Sequence, residues 1–88
     1  MHEKRWHVDI FLDENDNRTH AEARLRNPDE TGFTGTGYAR RNPRDPGVPE
    51  IGDELAVSRA LADLAHRLLD ATAADIEAVT HKSAHLGH

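Results

Sequence analysis

The stretch Gly35–Leu69, GTGYARRNPRDPGVPEIGDELAVSRALADLAHRLL, joins a strand to an amphipathic helix through a loop rich in proline and arginine. Its first part belongs to a strand over about residues 32–40. Phe33, Gly35, Gly37 and Ala39 alternate with Thr34, Thr36, Tyr38 and Arg40 on the opposite face. Gly35 and Gly37 weaken a strand, and the use that offsets this is close approach by another element. Pro43, Pro46 and Pro49 stiffen the loop and exclude a helix there. Asp53 then reads as a helix N-cap, with Glu54 placing a second negative charge where the helix dipole favours it. Leu55, Val57, Ala60, Leu61, Leu64, Ala65, Leu68 and Leu69 recur at i, i+3, i+4, i+7 spacing, which predicts a helix over about residues 53–70. Arg59, Asp63, His66, Arg67 and Asp70 lie largely off that stripe.

Two more strands precede this stretch. Trp6, Val8, Ile10 and Leu12 alternate with His7, Asp9 and Phe11, the pattern of a half-buried strand over about residues 5–12. The turn formers Asp13–Asn17 lead to a strand over 18–26, with Ala21, Ala23 and Leu25 on one face and His20, Glu22, Arg24 and Arg26 on the other. Asn27-Pro28-Asp29-Glu30 is a second turn. Downstream, Thr72 and Asp75 resemble a capping box and predict a second helix over about 73–81, buried through Ile76 and Val79; residues 82–88 read as frayed. The expected fold is one α+β domain over 1–88. A three-stranded antiparallel β-meander is followed by two α-helices packed on one face.

With 88 residues the core is small, and stability is expected to be modest or shared with a partner subunit. There is no cysteine, so disulfides and thiolate zinc sites are excluded. The N-terminal MHEKRWHVDIFLDE lacks a signal-peptide apolar core, and no segment approaches the ~20 apolar residues of a membrane span. A cytoplasmic protein is expected. The net charge of −5 opposes non-specific binding to a phosphate backbone, but it conceals a partition. Residues 1–17 sum to −3, residues 18–44 to +3 and residues 45–88 to −5, and every positive charge in the middle segment is arginine.

Catalytic signals are weak. Ser58 and Ser83 lack a nucleophile-elbow context, and Gly35-Thr36-Gly37 lacks the lysine of a phosphate loop. His81 and His85 have i, i+4 spacing but no carboxylate to complete a ligand set, so a solvated tail is the better reading. No enzymatic role, metal, cofactor, small-molecule substrate or membrane is expected. One constellation carries a hypothesis. Arg24, Arg26 and Arg40 share the outer sheet face with Tyr38 and Phe11, and Arg41 and Arg44 extend the patch into the loop. Guanidinium groups beside aromatic rings suit RNA, through phosphate pairing and base stacking. The plainer alternative is an exposed face whose arginines pair with Glu22 or Asp9, or a homodimer surface.

The blocks WHVDI (6–10), AEARLR (21–26), GTGYARRNPRD (35–45), VPEIGDELAVSRALADLAHRLL (48–69) and DIEAVTH (75–81) span nearly the whole chain. They resemble a family of small, dsRBD-like actinobacterial proteins of unassigned function, some induced in hypoxic dormancy. The resemblance implies a compact α+β fold, homodimers and no established enzymatic activity. It also implies, by likeness to ribosome hibernation-promoting factors, binding to the ribosome or to structured RNA. Arg24, Arg40, Asn42 and Pro43 match family positions, and Arg41 stands where an apolar residue is expected, which enlarges the basic patch.

Overall fold

The computed structural model describes residues 2–27, 32–40, 48–81 and 83–84. Three strands, β1 (His7–Asn15), β2 (Arg18–Arg26) and β3 (Phe33–Arg40), form an antiparallel sheet in the order β1-β2-β3, followed by one helix, α1 (Pro49–Thr80). Asn15 pairs with Arg18 across the first turn, where Asp16 takes a left-handed φ of 55°, a conformation that Asp tolerates better than most residues. In the second pair Leu25 faces Phe33, Ala23 faces Gly35 and Ala21 faces Gly37.

The α+β class and the meander are as expected, but two helices are not present. A single helix of 32 residues replaces the expected segments 53–70 and 73–81. Thr72 does not open a second helix. Its hydroxyl donates to the Leu68 carbonyl one turn back (2.8 Å), an alternative open to threonine inside a helix. No proline or glycine lies between Asp53 and Thr80 to interrupt the ladder. The start also differs. Asp53 is not the cap: the helix begins at Pro49 after Val48, because proline's missing N–H costs nothing in a first turn. At the other end His81 adopts a left-handed φ of 57° and its N–H donates to the Glu77 carbonyl (2.8 Å). The expected fraying over 82–88 lies mostly outside the described residues.

The core is built from small residues. Ala21, Ala23, Leu25 and Ala39 of the sheet meet Ala56, Ala60 and Leu64 of the helix, with Phe33, Val57 and Leu68 packed at the margin. Gly35 and Gly37 serve close approach as expected. A Cβ at Gly35 would strike the Ala60 carbonyl and the Leu64 backbone, and one at Gly37 would strike the Ala56 carbonyl and the Ala60 nitrogen. Backbone-to-backbone contact dictates which helix face turns inward. The alanine row at 56 and 60 lies on the sheet, while Leu55 and Leu61 of the expected leucine stripe remain exposed.

Coverage is uneven. The helix lies over β2 and β3 and barely touches β1. Val8, Ile10 and Leu12, which share the inner face with Leu25, Ala23 and Ala21, stay 41%, 38% and 44% exposed, so the half-buried strand read from the sequence is an open one. The helix also outruns the sheet: 32 residues give about 48 Å against about 30 Å for a nine-residue strand, and the molecule is 53 Å long. Among the described residues no helix is long and apolar enough to cross a membrane.

Candidate nucleic-acid interface on the outer sheet face

Strand alternation assembles the face opposite the helix. Reading across the register, its rows are His7–Arg26, Asp9–Arg24–Thr34, Phe11–Glu22–Thr36, Asp13–His20–Tyr38 and Asn15–Arg18–Arg40. Arg24, Arg26, Tyr38 and Arg40 of the expected site are therefore on one surface. Arg41 and Arg44 lie outside the described residues.

The surface divides into two ends. At the first, Arg26 Nε lies 2.8 Å from Asp9 Oδ2, and Arg24 Nη2 lies 2.8 Å from Glu22 Oε2. The Arg24 guanidinium also stacks over Phe11, with Cζ 4.3 Å from the ring centre. Each arginine there has a carboxylate neighbour, so this end is close to neutral. Exposed pairs of this kind are worth only about 0–1 kcal/mol.

At the second end the balance is different. Arg18 stacks over Tyr38 with Cζ 4.5 Å from the ring centre, and the His20 ring lies 4.8 Å from the same ring. Arg40 is the register partner of Arg18. Among the described residues no carboxylate pairs with Arg18 or Arg40. Asp13, in the adjacent row, lies 3.5 Å from His20 Nδ1. Tyr38 is 47% exposed and Phe11 45%, which leaves both aromatic groups open to a partner. Arg18 was absent from the sequence-derived set, although it shares strand parity with His20 and Arg24. Its position at the strand's first residue concealed that.

The helix fixes this end from behind. Arg59 Nη1 donates to the Tyr38 carbonyl (2.6 Å), and the Thr36 N–H donates to Asp63 Oδ2 (2.9 Å). Arg67 Nε donates to that same oxygen at 3.1 Å. The Thr36 N–H bond, followed by the Arg67 bond, lowers the Asp63 carboxyl below its ordinary value. Asp63 and Arg59, off the apolar stripe in the sequence, thus act as clips on the free edge of β3. Among the described residues no group of three or more His, Asp or Glu is placed to hold a metal, and His85 lies outside them.

Comparison with known proteins gives a family without an assigned role. The Rv2632c-like family model matches residues 4–85. The uncharacterized protein Mb1767 of Mycobacterium bovis is 53% identical over 83 residues, covering 94% of this chain and 87% of that one. The uncharacterized protein Rv2632c of Mycobacterium tuberculosis is 47% identical over 79 residues, covering 90% and 84%. The crystal structure of Rv2632c superposes with a TM-score of 0.84 at 45% identity, covering 93% of this chain and 96% of that one. With nearly its whole length matched in sequence and in fold, the chain belongs to the Rv2632c-like family.

Proposed function

We propose that this protein is a non-enzymatic binding protein that engages structured RNA, the ribosome included, through the Arg18–Tyr38–Arg40 end of its sheet. One observation carries the reading: an exposed tyrosine flanked by arginines that have no carboxylate partner among the described residues. Guanidinium groups recognise phosphate in a planar, charge-assisted way, and an open ring accepts an unstacked base. Arg41 follows Arg40 directly in sequence and Arg44 comes three residues after that, adding to the basic charge of this segment; Arg24 and Arg26 contribute less, because Glu22 and Asp9 already occupy them. On the family resemblance carried by the sequence blocks, the setting we propose is stress or dormancy and the place the cytoplasm.

The test is co-sedimentation with ribosomes, and anisotropy with a hairpin RNA, across a salt series. Arg18→Glu with Arg40→Glu is expected to weaken binding at least about tenfold and to flatten the salt slope by about one per lost phosphate contact. Arg24→Glu should do distinctly less. No binding of the wild type at low salt sinks the reading.

A second reading has its own observation. Val8, Ile10 and Leu12 form a half-exposed apolar strip beside the helix, with Trp6 just ahead of it in the chain and itself exposed, which favours self-association into a homodimer. Sedimentation at micromolar concentration that shows only a 9.8 kDa species excludes it.

A further inference from the structure

The ring of Tyr38 is covered from one side. In the order β1-β2-β3 its neighbours across the register belong to β2, and both ring contacts come from there: His20 directly opposite, and Arg18 two residues away. On its other side β3 is the edge of the sheet, and among the described residues no strand lies beside it. The exposed part of the ring therefore faces that edge. Phe11 gives the contrast. It too is an exposed ring with a guanidinium over it, but that guanidinium belongs to Arg24, which is already paired with Glu22.

The β3 edge carries a further cation. Arg59 takes the Tyr38 carbonyl and Asp63 takes the Thr36 N–H, so these backbone groups point away from β2. Arg59 reaches the edge from the helix, with its Cβ against Gly37, and its side chain is exposed. Unlike Arg67, which Asp63 holds, Arg59 has no carboxylate partner among the described residues. The basic surface thus turns a corner: Arg18 and Arg40 lie on the outer face, Arg59 at the edge, and Tyr38 between them. The acids around this corner are engaged elsewhere. Asp63 holds Arg67, Asp13 lies beside His20 and Glu22 beside Arg24. Glu50, Asp53 and Glu54, at the start of the helix, make no ion pair with Arg18, Arg40 or Arg59.

We infer that the ligand at this end is an unpaired RNA segment crossing the β3 edge, with one base stacked on the open side of Tyr38 and its flanking phosphates on Arg40 and Arg59. This deepens the RNA reading above and rests on it. The chemistry disfavours a duplex in that position. An A-form helix keeps its bases paired and stacked, and it presents phosphates, 2′-hydroxyls and groove edges. It can meet the arginines, but it offers no base face to Tyr38. A loop or bulge nucleotide does offer one, and stacking on an aromatic ring tolerates any base. Guanidinium groups on both sides of the ring then match the phosphates before and after that base. Arg59 becomes a binding residue as well as a clip.

The test is fluorescence anisotropy of the full chain with two labelled RNAs at the same low salt, a hairpin with an adenine loop and a blunt duplex of the same stem sequence. The wild type is expected to bind the hairpin at least about fivefold tighter. Tyr38→Leu should remove that preference, while Tyr38→Phe, and Phe11→Leu at the other ring, should keep it. Arg59→Gln retains an N–H donor for the Tyr38 carbonyl and should lower the salt slope on the hairpin by about 0.7, the loss of one single-strand phosphate contact. Arg59→Lys keeps the charge and should keep the slope. Circular dichroism checks that each variant is folded. Tyr38 is the only tyrosine, so its ring protons report directly by NMR, moving upfield with the hairpin and not with the duplex. Equal or tighter binding of the duplex, a preference that survives Tyr38→Leu, or an unchanged slope in Arg59→Gln overturns the edge-crossing strand while the RNA reading stands. No binding of either RNA overturns both.

Discussion

The molecule contains a braced half and an unbraced half, both built from the same kind of alternating strand. In the braced half, β2 and β3 hold α1 between Gly52 and Leu68 through alanine, glycine and two side-chain clips. In the unbraced half, β1 presents larger apolar residues that the helix never reaches, and the helix past Leu68 runs clear of the sheet, leaving Val79 81% exposed. Small residues ended up inside and several large ones outside, the reverse of what hydrophobicity alone would select. Contact distance explains it. Glycines at 35 and 37 draw the helix so near β3 that it cannot also span β1.

The largest difference between the halves is expected from filling that contact. Gly37→Val drives a branched side chain into the Ala56–Ala60 backbone and should lower stability by at least about 3 kcal/mol, read by urea denaturation. Ile10→Val, which removes one carbon from the unbraced half, should cost only about 0.5 kcal/mol. A cost of about 1.5 kcal/mol, that of a fully buried site, would mean that Ile10 is covered in solution. Cavity creation gives a second, smaller contrast. Leu64→Ala is expected to cost about 2.5 kcal/mol because Leu64 is buried, and Leu12→Ala about 1 kcal/mol because nearly half of it is already in water. If the homodimer forms, the Leu12→Ala cost should rise with protein concentration and the Leu64→Ala cost should not.

The clips on β3 respond to pH. The folded-state carboxyl of Asp63 lies below its ordinary value of 3.8, through the Thr36 N–H bond first and Arg67 second. A depressed carboxylate stabilises the fold fully above its unfolded pKa, and that contribution is lost as pH falls through 3.8 towards the lower folded value. Asp63→Asn should therefore be less stable than wild type near neutral pH, with the difference shrinking in acid. Urea midpoints measured from neutral pH down to about pH 2.5 check it. A difference that stays constant through the acid range would show that the Asp63 charge has no part in the clip.

Alternation in 18–26 and 33–40 made the sheet and its outer face legible in the sequence, because strand parity needs no tertiary information. The helix was harder. Leucines at i, i+3, i+4 spacing mark an apolar side, but the alanines at 56 and 60 turn inward since only they fit against glycine, a constraint visible only once the two elements are docked. Thr72 with Asp75 has the composition of a cap, yet a threonine hydroxyl satisfies itself equally on the carbonyl four residues back. On the candidate site, parity placed Arg24, Arg26, Tyr38 and Arg40 correctly on one face. Their division into a neutral end and a cationic end depends on register, which sets Asp9 and Glu22 against Arg26 and Arg24, while among the described residues no carboxylate pairs with Arg18 or Arg40.

The smallest effect on global stability belongs to the end of the helix. Beyond Leu68 the chain has no sheet beneath it, and an isolated helical turn in water is marginal because its nucleus is costly. Residues 70–80 nevertheless continue without a break and close on the left-handed His81, with the Ala84 N–H donating to Glu77 Oε1 (2.9 Å). Local closure of this sort resists fraying only weakly, so amide exchange there should report opening far below the global unfolding free energy, while amides around Ala60 report values near it. Ala73→Gly with Ala74→Gly, each worth about 1 kcal/mol of helix propensity, should speed exchange over 70–80 and leave the urea midpoint almost unchanged. Protection equal to that of Ala60 would mean that a second surface braces this overhang too, and the unbraced half would then shrink to β1 alone.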